Sequence, residues 1–327
     1  MKLALIICTY QRPDAIMRLM KTVQNQSVKP YQILIIDGSQ DDFTGLRFRE
    51  SKIENLHYHK VPEEHRGLTR QRNYGVQRVD KEINVVAFLD DDVLLEADYF
   101  EQILNTYHEH PDALAVGGYI TNEVEWNKST DANSGFCMDG YCRSLGSRHK
   151  LRNKLGLAPD VPPGHMPAFG HGYSVSFLPP SGKTYPVQQL MGGVASYRAS
   201  VFKNHIFSSY FEGYGLYEDA DFSLRLARTG KLYINTAARL EHHHDPSGRP
   251  NYYKYGKMVV RNGWYVWHVV NPQPTLKAIL KWYAITKLLI AIRLSNVITG
   301  PDRSAALKES IGRIAGLCSL LFNAPRP

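Results

Sequence analysis

The chain is expected to be an α/β protein with a mostly parallel central sheet flanked by helices, followed by a basic helical extension. Three observations predict this: continuous apolar runs of strand length, amphipathic segments between them, and positive charge gathered at the end of the chain. Residues 3–8 form the first apolar run, the pattern of a strand buried on both faces. Residues 14–26 follow, with Ile16, Leu19, Met20 and Val23 at helical spacing. A second buried strand covers 32–36 and ends at Asp37; 67–79 reads as a helix, 83–89 as a strand and 97–107 as another helix. Strand alternating with helix at these lengths calls for right-handed crossovers and hence parallel pairing. From 120 to 186 the periodicity fails, and Pro162-Pro163-Gly164 and Pro179-Pro180-Ser181-Gly182 mark turns. A helix over 219–228 and a strand over 231–235 restore order, and the pattern after about Asn251 is helical.

With 327 residues, 43% hydrophobic and 21% charged, the chain is an ordinary folded protein without low-complexity tracts. The net charge of +8 is local: residues 251–327 hold eleven Lys and Arg against two acids, so the rest is close to neutral. The same segment carries Trp264, Trp267 and Trp282 among Tyr252, Tyr253, Tyr255, Tyr265 and Tyr283. Aromatic rings mixed with Lys and Arg suit in-plane attachment to an anionic membrane surface. The competing reading is a helical cap with solvated lysines. Residues 278–294 are apolar but interrupted by Lys281, Lys287 and Arg293, so no spanning helix is expected. No nucleic-acid-binding signature accompanies the charge, and nucleic acid is not expected as a partner. Cys8, Cys137, Cys142 and Cys318 are few and scattered, which predicts free thiols in a reducing cytosol. The apolar amino terminus has no small-residue cleavage site and reads as a strand. The expected location is therefore cytoplasmic, peripheral on the membrane.

The most informative residues are Asp90-Asp91-Asp92, which close the apolar run Val85-Val86-Ala87-Phe88-Leu89. A strand leaving a core presents such residues at its carboxyl edge, where open α/β sheets bind ligands. Alternation along extended backbone lets Asp90 and Asp92 share a face while Asp91 points away. Two converging carboxylates repel unless a cation sits between them, and hard oxygen ligands suit Mg²⁺ or Mn²⁺ carrying a diphosphate. The bland alternative is a solvated acidic turn.

Four further constellations join it. Thr9-Tyr10-Gln11-Arg12-Pro13 and Asp37 stand at the carboxyl ends of neighbouring strands, where a nucleoside can stack on Tyr10; they are also ordinary caps. Gly67 and Thr69 open a helix bearing Arg70, Arg72 and Asn73, placed to meet anionic phosphates or the acidic loop, or simply solvent. Glu218-Asp219 begin another helix; both cannot cap it in the same way, which frees one for proton abstraction. In Glu241-His242-His243-His244-Asp245, before the turn Pro246-Ser247-Gly248-Arg249, alternation puts His242 and His244 on one face, where an imidazole can complete a metal shell begun by Asp92.

In order and spacing, this set resembles the family 2 glycosyltransferases over about residues 1–250. The residues that carry the likeness are Ile7-Cys8-Thr9-Tyr10-Gln11-Arg12, Ile36-Asp37-Gly38-Ser39, the run from Gly67 through Gly75, Leu89-Asp90-Asp91-Asp92, Gly192-Gly193 with Tyr197-Arg198, Glu218-Asp219 and His242. The resemblance implies a GT-A fold, Rossmann-like, with a nucleotide-sugar half over 1–119 and an acceptor half over 120–250. It implies a nucleoside-diphosphate sugar donor (UDP-, dTDP- or GDP-sugar) bound through a divalent cation, Mn²⁺ or Mg²⁺. The sugar would pass with inversion to a hydroxyl of a lipid-linked or polymeric glycan acceptor in cell-surface polysaccharide synthesis. Carried over residue by residue, it gives Thr9, Tyr10 and Asp37 to the nucleoside, and Asp90 and Asp92 to ribose and metal. Asp219 becomes the general base, and His242 a further ligand to metal or diphosphate. Arg12, Arg70, Arg72, Asn73 and Asp91 complete the expected donor site, Glu218 is expected as a catalytic residue with Asp219, and His244 as a metal ligand with Asp90, Asp92 and His242. Ile36 stands where the family often has a second acid. Polymerising synthases carry a Q-x-x-R-W motif and spanning helices, and this sequence has neither, so a single addition is expected. A sugar-nucleotide nucleotidyltransferase would need a Gly-rich activating loop that is missing here, and a non-catalytic binding module would not need Asp90, Asp92 and Asp219.

Overall fold

A computed structural model describes residues 1–51, 53–129, 135–211, 213–244 and 251–327. Its first half alternates strand and helix: β1 (Leu3–Thr9), α1 (Pro13–Gln24), β2 (Gln32–Asp37), α2 (Phe43–Glu50), β3 (Leu56–Lys60), α3 (Leu68–Val76), β4 (Val85–Asp90), β5 (Val93–Leu95), α4 (Tyr99–Glu109) and β6 (Ala113–Ile120), of which α2, β3, β5 and β6 are not among the elements read from the sequence. Three short strands, β7 (Asn127–Lys128), β8 (Phe136–Met138) and β9 (Tyr141–Arg143), then form a separate small sheet. After them come α5 (Ser147–Lys154), β10 (Thr184–Val187), β11 (Val194–Arg198), α6 (Glu218–Leu226) and β12 (Lys231–His242). Helices α7 (Tyr252–Val270), α8 (Leu276–Thr299) and α9 (Arg303–Ser319) close the chain.

Among the described residues the main sheet has nine strands in the order β10-β12-β6-β11-β4-β1-β2-β3, with β5 beside β12. Strands β3, β2, β1 and β4 are parallel, because the helices between them return the chain to the same edge. Strand β11 runs antiparallel between β4 and β6, so the sheet is mixed rather than mostly parallel. Apolar layers cover both faces. Leu5, Ile7, Ile35 and Phe100 lie in one, and Ile6, Ile36, Phe88 and Phe222 in the other.

Two expectations are corrected by packing. Cys137 and Cys142 face each other across the β8–β9 pair, Cα atoms 4.1 Å apart, and are joined as a disulfide rather than left as free thiols. Their meeting depends on the β8–β9 hairpin, which no local pattern foretells, and a reducing cytosol is no longer supported by free thiols at these two positions. The tryptophans of the tail are also not a surface belt: Trp267 and Trp282 are 1% and 2% exposed and stack on each other above Phe169. The Trp267 indole N–H donates to the Ala168 carbonyl, 2.9 Å away, so the buried ring is satisfied. Helices α7 and α9 approach closely because Gly256 and Gly312 lack a Cβ that would strike the opposite backbone at Glu309 and Tyr253. Among the described residues no helix is long and apolar enough to cross a membrane. The turn expected at Pro246-Ser247-Gly248-Arg249, and Asp245 before it, lie outside the described residues.

Candidate active site

Strands β1 and β4 are neighbours, and their carboxyl ends open onto a cleft of about 470 Å³. Its lining includes Thr9, Tyr10, Arg12, Asp90, Asp91, Asp92, His242 and His244, residues more than two hundred positions apart in sequence. The three aspartates divide as expected, but through a turn rather than strand alternation, since β4 ends at Asp90 and Asp91 and Asp92 lead into β5. Asp91 turns inward, accepting from the Thr9 hydroxyl at 2.6 Å and pairing with Arg12 at 3.0 Å. Burial pushes its carboxyl up, to about 6, against the pull of Thr9 and Arg12. Its carboxyl is thus held by Thr9 and Arg12 at the wall of the cleft.

Asp90 and Asp92 face the cleft with His242. The His242 Nε2 lies 3.1 Å from Asp92, and Arg12 reaches the same carboxylate at 3.4 Å. Ligand atoms of Asp90, Asp92 and His242 all fall within 4.8 Å of one another. Burial disfavours the imidazolium, but hydrogen bonds to Asp92 and Glu123 and the nearby carboxylates outweigh it and hold His242 up at about 10. Burial also raises Asp90, opposed by Arg72. Antiparallel pairing of β12 with β5 sets His242 opposite Val93, next to Asp92 in sequence, which fixes the register. His244 stacks near His242, ring centres 3.9 Å apart, and meets Glu123 at 3.0 Å; His243 turns outward to Glu241. Glu123, His242 and His244 form a second donor group of the same compactness. Nothing in the sequence singles out Glu123, one of two acids, with Glu125, in the irregular stretch between β6 and β7.

The Glu218-Asp219 pair is separated by its environment. Glu218 is buried and ion-paired to Arg72, itself 3% exposed, and Arg72 also lies 3.8 Å from Asp90. Burial pushes the Glu218 carboxyl up, opposed by Arg72. Asp219 is partly open to solvent, accepting from the backbone N–H groups of Ala220 at 2.7 Å and Gly192 at 3.1 Å. A Cβ on Gly192 would come within 2.7 Å of both Arg72 Nη1 and Glu218 Oε1, and one on Gly193 would collide with Asp90. The two glycines therefore let backbone pass between the acids of β4 and those of α6.

Three expected donor contacts lie elsewhere. Asp37 is fully buried, its oxygens taken by the Ser39 N–H and the Tyr58 hydroxyl, both at 2.7 Å, so it shapes the turn after β2. Asn73 clamps the Phe207 backbone through both ends of its amide, at 2.9 and 3.0 Å. Arg70 donates to the Glu64 carbonyl at 3.0 Å on the outer side of α3. The helical face of α3 decides this: Arg72 points inward while Arg70 and Asn73 lie off the cleft. Gln71, overlooked in the sequence, bridges the Thr9 and Ile36 carbonyls at 3.1 and 2.7 Å and ties α3 to both strand ends.

Comparison with known proteins follows this geometry. A glucosyl-dolichyl phosphate glucuronosyltransferase of Haloferax volcanii is 30% identical over 123 residues, 37% of this chain and 38% of that protein. The glycosyltransferase GlyA of Streptococcus pneumoniae serotype 4 is 26% identical over 125 residues, 38% of this chain and 18% of that protein. The chain thus matches well under half the length of either relative. A crystal structure of GalNAc-T7 with UDP, GalNAc and Mn²⁺ superposes with a TM-score of 0.53 at 15% identity, over 79% of this chain and 47% of that one, a likeness of fold. The family model for glycosyl transferase family 2 matches residues 4–169, just over half of the sequence. With its GT-A-like sheet and its cleft of converging acids, the chain belongs to glycosyl transferase family 2.

Proposed function

We propose that this protein moves one sugar, with inversion, from a nucleoside-diphosphate sugar to a hydroxyl of a lipid-linked or polymeric glycan acceptor. The observation that carries the reading is the opposition of two sets of acids across Gly192-Gly193: Asp90 and Asp92 with His242 on one side, the accessible Asp219 on the other. Two carboxylates and an imidazole with ligand atoms within 4.8 Å are a donor set that fits Mn²⁺ or Mg²⁺. Asp90, Asp92 and His242 would hold the ion, with His244 and Glu123 behind His242. When bound, such a cation supplies positive charge beside a departing diphosphate.

The chain's own residues do the rest. Tyr10, 43% exposed at the cleft mouth, offers a face to a nucleoside base. Arg12 is shared between Asp91 and Asp92 and stands ready for diphosphate oxygens once a cation takes over Asp92. Asp219 takes the proton from the acceptor hydroxyl as that oxygen bonds to the anomeric carbon. The bond from the anomeric carbon to the diphosphate breaks, and the nucleoside diphosphate leaves. Glu218 positions Asp219 through its buried pair with Arg72, which keeps the first turn of α6 in place.

A relative named for transfer to a glucosyl-dolichyl phosphate favours a lipid-linked acceptor. The tail favours a membrane surface by a different route than its tryptophans. On α8, Leu276, Leu280, Leu294 and Ile298 are 71%, 62%, 43% and 77% exposed at helical spacing, beside Lys277 and Lys281. The test of the transfer reading is turnover of a panel of nucleotide sugars with and without Mn²⁺. Hydrolysis or transfer that needs the ion supports it, and pyrophosphate release from a nucleoside triphosphate would replace it with nucleotidyl transfer.

A further inference from the structure

A second cavity, of about 300 Å³, lies between α5, the start of α6 and the helices α7 and α8. It adjoins the proposed catalytic base, since Tyr217 and Ala220, which bracket Glu218 and Asp219, form part of its wall. Its far wall is apolar, with Trp267, Trp282, Leu289 and Ile290. Its near wall is basic, with Arg148, His149 and Arg152; Arg313, paired to Glu309 at 2.6 Å, also lines it, and among the described residues no Asp or Glu does.

The basic wall has unusual hydrogen bonding. Arg152 is 4% exposed, and its guanidinium reaches only the carbonyls of Leu157 at 3.1 Å and His171 at 2.7 Å. Arg148, at the exposed rim, donates to His149 Nε2 at 3.0 Å. Accepting that bond leaves the proton of His149 on Nδ1, and this nitrogen is buried without a partner on a residue 8% exposed. Among the described residues, neither Arg148 nor Arg152 pairs with a carboxylate. Burial pushes His149 down, to about 4, and the surrounding arginines push it further in the same direction. A buried basic wall with an orphan N–H and no acid is what an anion would complete. An anion alone would leave the aromatic and aliphatic wall idle.

We infer that this cavity receives the anionic linkage of the acceptor, a phosphate carried on an apolar chain, seated between the Arg148–Arg152 wall and the Trp267–Trp282 wall. The inference rests on the transferase reading and narrows its acceptor to a glycan linked to a lipid phosphate. Held there, the phosphate fixes the acceptor beside Asp219, while the chain leaves along α8 toward its exposed leucines.

The test is calorimetric titration of the full chain with farnesyl phosphate, farnesol and inorganic phosphate, each below any micelle-forming concentration. Farnesyl phosphate is expected to bind at least tenfold tighter than either of the others. Arg148→Gln, at the exposed rim, should weaken it about tenfold. Gly263→Leu should abolish it by filling the cavity, because the atom nearest to a Cβ there is Tyr217 Cε2 at 3.8 Å and the helix tolerates leucine. Both variants should melt like the parent and still bind UDP with Mn²⁺. Asp92→Ala should do the reverse, losing UDP–Mn²⁺ and keeping farnesyl phosphate. Equal binding of farnesol, or parental affinity in both Arg148→Gln and Gly263→Leu, overturns the inference while leaving the transferase reading intact. Loss of UDP–Mn²⁺ binding in the parent chain, with farnesyl phosphate still bound, would overturn the transferase reading instead.

Discussion

The cleft at the ends of β1 and β4 and the cavity under α7 and α8 are neighbours with opposite chemistry. The first gathers Asp90, Asp91, Asp92 and Glu123 and neutralises them only in part, with Arg12, Arg72 and His242. The second gathers arginine and histidine against tryptophan, with no acid in its lining among the described residues. The contrast sets the two proposals side by side: converging acids in the first suit completion by a cation, and an acid-free lining in the second suits completion by an anion. Glu218 and Asp219 lie on the short helix start between them, so the proposed base works where the two halves of the reaction meet.

The sharpest way to break this comparison is to remove that base. Asp219→Asn is expected to cut transfer by about 10²–10⁴-fold while UDP–Mn²⁺ binding and melting temperature stay near parental. Parental turnover would show that Asp219 is not the proton acceptor. Arg72→Met comes next. It strands the buried Glu218 carboxylate, and chemical denaturation should register a loss of about 3–5 kcal/mol, with transfer falling because α6 shifts. Trp282→Ala probes the other region. A cavity in place of a ring 2% exposed should lower stability by about 3–5 kcal/mol, with no change in the UDP–Mn²⁺ affinity of the folded chain.

The smallest expected effect is a pH dependence confined to the basic cavity. Burial, reinforced by nearby arginines, holds His149 down at about 4 and His171 at about 3, against an ordinary value of 6.5. Between pH 6.5 and 4 the folded chain therefore binds fewer protons than the unfolded chain. The stability these imidazoles contribute is complete above that window and lost as pH falls through it, so from pH 7 to 4.5 the parent should lose more melting temperature than His149→Gln does. His149→Gln should flatten the decline, and an unchanged slope would show that this imidazole is not held neutral by the fold.

The two regions also differ in how far the sequence foretold them. The cleft was legible because its residues end apolar runs, and a buried parallel strand followed by acids has few other meanings. Asp90, Asp92 and His242 come together from the turn that follows β4 and one strand pairing. Local pattern failed where a neighbouring element decides the outcome. Asp37 is claimed by Tyr58 of β3, a strand whose polar residues hid it, and Asn73 by the backbone at Phe207. Strand β12 continues to His242, well past residue 235, because polar Asn235 and Thr236 are accommodated within the sheet by bonds to Thr106 and Lys183. The cavity was not legible at all. Trp267 and Trp282 read as surface anchors until Phe169, in the irregular segment, is known to lie beneath them. The pairing of Cys137 with Cys142 likewise depends on the register of a hairpin only three residues deep on each side.

The central claim is that Asp90, Asp92 and His242 hold a divalent ion through which the cleft grips a nucleoside diphosphate. Calorimetric titration of UDP, GDP and dTDP into the full chain, with Mn²⁺ and then with EDTA, tests it most directly. The account predicts binding of at least one nucleotide with Mn²⁺, a loss of at least tenfold in affinity with EDTA, and the same loss in Asp92→Ala with Mn²⁺ present. Binding that is equally tight with EDTA, or unchanged in Asp92→Ala, would contradict it.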